Sequence, residues 1–141
     1  MANPCSPYVK LGDMVWIARM FDKARKMHDG TLHEDYHSNL GKGHDARCCN
    51  FLKVDYEGVK QRVAEGLDDE AMITWCFEHV RKPDAFDVEI WNAYMIKLGH
   101  MDENPGFAEY IAERKKAYGL EGRDDILTFF QLIEKDEGRL A

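Results

Sequence analysis

With 141 residues, 45% hydrophobic and 11% aromatic, the chain can fill one core without disulfide staples, so a single domain over residues 1–141 is expected. A net charge of -7 argues against a nucleic-acid partner, which needs a basic stripe to displace counterions. No apolar run approaches the roughly 20 residues of a bilayer-spanning helix, and the opening MANPCSPYVKLGD lacks the charged and apolar regions of a signal peptide, so a cytoplasmic protein with no membrane role is expected.

In chain order, Leu11 to Met27 is the first predicted helix. Met14, Val15, Ile17, Met20, Phe21 and Ala24 make its apolar face, and Gly30 follows its end. Arg19, Asp22, Lys23, Arg25 and Lys26 read as its solvated side, with Arg19 set apart because Trp16 lies one turn before it. Residues 28–54 then lose the helical period and carry Gly30, Asn39, Gly41, Gly43 and Asn50, which predicts one long irregular loop. Loops of that length inside a compact domain are usually functional or disordered, and aromatic and cysteine content argues against disorder here.

The helical pattern resumes at Asp55, with Tyr56, Val59 and Val63 on one face and Gly66 as a stop. Asp68 or Asp69 can cap the next helix, which Pro83 ends; Asp84 or Asp87 can cap a further one, with Val88, Trp91, Tyr94, Met95 and Leu98 inward and Gly99 as its stop. Asn104 before Pro105 opens another, with Phe107, Tyr110, Ile111, Arg114 and Tyr118 inward. Asp124 to about Asp136 is the last, with Ile126, Phe129, Phe130 and Ile133 inward. His28, His79 and His100 fall near helix C-termini, where protonated imidazole suits the dipole. No segment alternates long enough for a strand. The expected fold is an all-α bundle of about six helices with the 28–54 loop laid over it.

Four cysteines, Cys5, Cys48, Cys49 and Cys76, are expected as reduced thiols, since the chain is neither cysteine-dense nor visibly exported. The segments SPYVKLGDMVWIARMFDKARKM, NLGKGHDARCCNFLKVDYEGVKQRV, VEIWNAYM and GRDDILTFFQLIEKDEGR resemble a bacterial family, domain of unknown function 5069, over most of the chain. The resemblance implies a small soluble bacterial protein and carries no activity or site residue across. Asp13 stands where the family pattern leads one to expect a second glycine after Gly12.

Chemistry concentrates in HEDYHSNLGKGHDARCCN, residues 33–50. His33, His37, His44 and Cys48 form one candidate metal set, for zinc or iron with copper also compatible, although Gly41 and Gly43 interrupt the turn that such spacing needs; a metal-free site is equally compatible. Cys48 or Cys49, after Arg47 and near His44 and Asp45, could be a thiolate nucleophile if a helix begins there. Lys42, Arg47 and Arg19, with the two glycines, suit an anion; the missing Ser or Thr after Lys42 argues against a nucleoside triphosphate.

The density of ionisable groups predicts a small cytoplasmic enzyme acting on a small anionic metabolite. His37 and His44 would serve as bases or ligands, Asp45 as orienting group, Cys48 as ligand or nucleophile, and Arg19, Lys42 and Arg47 as anion holders. The alternative is a non-catalytic helical module that binds a ligand or a protein. A symmetric homodimer is compatible with a chain of this size.

Overall fold

A computed structural model describes residues 1–141, with His79 by its backbone alone, so the expectation for the His79 side chain lies outside the described residues. The fold is all-α: α1 Ile17–Asp29, α2 His44–Leu52, α3 Tyr56–Ala64, α4 Asp69–His79, α5 Ala85–Lys97, α6 Pro105–Ala117 and α7 Phe129–Asp136, with a 3-10 turn at Glu34–Asn39. Among the described residues no strand forms; extended pairing is limited to isolated bridges, Ala2 with Leu32 and Leu11 with Met14.

The predicted caps explain most helix starts. Asp55 accepts from Glu57 N–H, Asp68 from Ala71 N–H and Asn104 from Gly106 N–H, each satisfying a donor that the first helical turn leaves open. Asp84 and Asp87 each accept from the other's backbone N–H across the first turn of α5. The last helix differs from its expectation. It starts at Phe129, because Thr128 and Gln131 form a reciprocal capping box, whereas Asp125, inside the expected helix, pairs with Arg123 ahead of it.

The chain divides into two compact units, Met1–Glu89 and Ile90–Ala141, with the boundary inside α5. In the first, α1 packs against α2, α3 and α4, and Ile17, Met20, Phe21, Leu52, Val59 and Met72 are buried. Each such side chain contributes about 1.5–3 kcal/mol by leaving water. In the second, Ile111, Ile126 and Leu132 form a core on which Leu120, Phe129 and Leu140 pack. The predicted inner face of α6 reduces to Ile111 and the half-buried Phe107. Tyr110 is 44% and Tyr118 49% exposed, and Arg114 lies over the Tyr110 ring.

Two further departures bear on the site. The first helix begins at Ile17, six residues later than predicted, since Asp13 (φ 64°) and Trp16 (φ 74°) lie in the left-handed region that helices exclude. Glycine adopts that conformation without steric cost, which accounts for the glycine expected at position 13. The 28–54 loop is not irregular throughout: Gly43 starts the nine-residue helix α2, and Lys53 ends it in a left-handed conformation.

Candidate functional site

Trp16 is the centre of the arrangement. Its N–H donates to the Pro7 carbonyl at 3.0 Å and its carbonyl accepts from Met20 N–H, so the left-handed conformation is fixed from both sides. Such a backbone costs on the order of 1–3 kcal/mol and persists only where neighbours over-determine it. The indole supplies the rest, with Nε1 donating to Asp45 Oδ1 at 2.9 Å.

Asp45 is wholly buried, and three donors converge on it. Lys23 Nζ lies 2.9 Å from Oδ2, Gly41 N–H donates to Oδ2 at 3.1 Å, and the Trp16 indole holds Oδ1. The carboxylate therefore ties α1, the glycine turn and α2 together. Gly41 (φ 75°) is required there: a Cβ would approach the Tyr56 ring to 2.6 Å. Lys23 is 5% and Arg19 3% exposed, so of the residues read as the solvated side of α1 Lys23 is in fact buried beside Arg19, while Asp22, Arg25 and Lys26 are half-buried. Trp16, Arg19 and Lys23, three and then four residues apart, lie on one stripe of the helix.

Both cations cover the indole. Lys23 Nζ is 4.9 Å and Arg19 Cζ 5.4 Å from the Trp16 ring centroid, and Arg19 also lies 5.7 Å from the Tyr36 ring. Arg19 Nη1 donates to the Cys5 carbonyl at 2.9 Å, so the N-terminal segment helps hold it. The His44 imidazole, first residue of α2, packs on the same indole at 4.8 Å with the rings tilted by 56°. Burial lowers the His44 pKa to about 3, and Arg47, Lys23 and Arg19 reinforce the shift.

That shift gives a testable pH dependence. Unfolded His44 regains its ordinary value of 6.5, so between the two values the unfolded chain binds more protons and stability falls as pH drops from 6.5 toward 3. The loss reaches up to about 1.4 kcal/mol per pH unit. Urea unfolding of His44→Gln between about pH 7 and pH 4.5 is expected to show a shallower decline than the parent. Parallel declines would place His44 in water.

The remaining predicted residues separate. His37 Nε2 donates to the Leu32 carbonyl at 3.0 Å, and His33 Nδ1 accepts from Asp35 N–H at 3.2 Å as cap of the 3-10 turn. Among the described residues no group of three or more His, Cys, Asp or Glu is placed to hold a metal, so His33, His37, His44 and Cys48 do not form a ligand set. The helix start on which a Cys48 thiolate depended lies elsewhere. Since α2 begins at His44, Cys48 lies in its fifth position and faces the interior, where burial raises its pKa well above the ordinary value and Cys49, Asp45 and Cys76 add to the rise. Cys49 and Cys76 are pushed up to about 12, chiefly by burial. Lys42 is exposed and Arg47 half-buried.

Trp16, Tyr36 and Tyr56 are the site residues that sequence reasoning passed over or assigned to the core, whereas Gly41 was read only as part of an anion loop. The spacing of Trp16 to Arg19 and Lys23 was the available signal. The family described as Domain of unknown function (DUF5069) matches residues 1–139. The chain belongs to the DUF5069 family. Comparison with curated proteins finds no match. Family membership thus assigns no reaction, and the chemistry rests on the residues above. Among the described residues no helix is long and apolar enough to cross a membrane.

Proposed function

We propose that the Met1–Glu89 unit of this DUF5069 protein binds a small anionic metabolite, a carboxylate or phosphate, at the start of α2. One observation carries the reading: Arg19, Lys23 and His44 all lie on the Trp16 indole, within 5.4 Å of its centroid, beside the N-terminus of α2. A helix N-terminus directs partial positive charge outward, and its first residue here follows a glycine with no side chain to cap it. Lys42 and Arg47 flank that end and supply full charges, the guanidinium being suited to two-point contact with an oxyanion.

The geometry supports binding over turnover. Cys48, Cys49 and Cys76 are buried, Asp45 is engaged by three donors, and an imidazole with a pKa of about 3 is a base poorly matched to neutral solution. The test is a thermal-shift and calorimetric titration with inorganic phosphate and citrate. Either anion is expected to raise the melting temperature, and Arg47→Met to weaken binding about tenfold, equivalent to about 1.4 kcal/mol. If neither anion binds, or Arg47→Met binds as the parent does, the reading fails.

A further inference from the structure

A second feature of the same unit is independent of the anion site. The turn between α3 and α4 opens into a groove of about 710 Å³, with Trp75 as one wall and Leu67 and Ala71 as apolar lining. Its charged residues are three carboxylates, Glu65, Asp68 and Glu70, to one guanidinium, Arg62. Asp68 is accounted for locally, since it caps α4 through the Ala71 N–H at 2.9 Å. Glu65, the C-cap of α3, where the helix dipole disfavours a carboxylate, has Arg62 as its local partner. Glu70 is exposed at the groove edge.

The chain shows with its own side chain what this corner accepts. The Arg62 guanidinium lies 5.6 Å from the Trp75 ring centroid and 2.7 Å from Glu65 Oε1, a cation held between an aromatic face and a carboxylate. The carboxylate excess makes the groove complementary to further positive charge. We propose that this groove binds a basic segment of a partner protein, an arginine or lysine head exchanging with Arg62 on Trp75 and Glu65 while a neighbouring basic residue pairs with Glu70. Leu67 and Ala71 suit the methylene stems of such side chains, and an open groove of this size suits an extended segment better than one small cation.

The probe is a fluorescent oligo-arginine peptide, followed by anisotropy on the full chain at low salt. The parent protein is expected to bind it, and Glu65→Gln with Glu70→Gln to weaken binding about tenfold, each surface pair contributing about threefold. Glu113→Gln with Glu121→Gln removes the same charge from the other unit and is expected to leave binding unchanged. Absence of binding overturns the proposal. Equal weakening by the two double variants also overturns it, by reducing the effect to general attraction toward a chain of net charge -7. Spermidine binding as tightly as the peptide overturns it in favour of a small polyamine. All four substituted glutamates are half-buried or exposed side chains outside the core, so folding of the variants, checked by circular dichroism, is expected to persist.

Discussion

Asp45→Ala is expected to cost about 3–5 kcal/mol of folding stability, read as a fall in the urea midpoint. The magnitude comes from what remains behind. Lys23, 5% exposed, keeps a charge that has lost its carboxylate, and the Trp16 indole N–H and the Gly41 N–H lose their acceptor. A surface pair at the same 2.9 Å would contribute about 0–1 kcal/mol, so the size of the effect distinguishes the buried arrangement from an exposed one. A double-mutant cycle with Lys23→Met separates the pair from the other two bonds. With both charges gone the buried cation is removed, and the double variant is expected to be more stable than Asp45→Ala alone. A cost below about 1 kcal/mol for Asp45→Ala would contradict the burial of this carboxylate.

This cluster also marks where sequence reading stopped. Local signals were sufficient for α3, α4 and α6, whose starts are set by Asp55, Asp68 and Asn104, because a cap acts within four residues of itself. The start of α1 was not legible by periodicity. Met14 and Val15 are buried and fit the helical pattern, yet Met14 closes a tight turn bridged to Leu11 and Val15 follows it ahead of the helix. The site had the same difficulty in stronger form. Asp45 was read as orienting a histidine, whereas its carboxylate holds Lys23 and Trp16, 22 and 29 residues away on α1 and just before it, and Lys23 among Asp22, Arg25 and Lys26 looks solvated. Only the tertiary packing of α2 on α1 turns that side inward.

Native-state alkylation provides the second large effect. Under non-denaturing conditions Cys5, half-buried, is expected to react first, while Cys48 is slowed by at least about a thousandfold relative to unfolded protein. Two effects act in the same direction. Cys48 has 0% exposure, so a reagent reaches it only when α2 opens, and burial holds its pKa well above the ordinary thiol value, so the thiolate is scarce even where access is gained. Mass spectrometry after timed alkylation reads the four sites separately. The Asp45→Ala variant links this measurement to the first, since it removes the tie between α2 and α1 and should accelerate Cys48 labelling in proportion to its loss of stability, while Cys5, held at its backbone by Asp22 and Arg19, changes little. Cys48 labelling as fast as Cys5 in the parent chain would mean that α2 opens on its own. That outcome would return the thiol to the chemistry of the site, and protection would leave Lys42, Arg47 and the start of α2 as the groups available to a ligand.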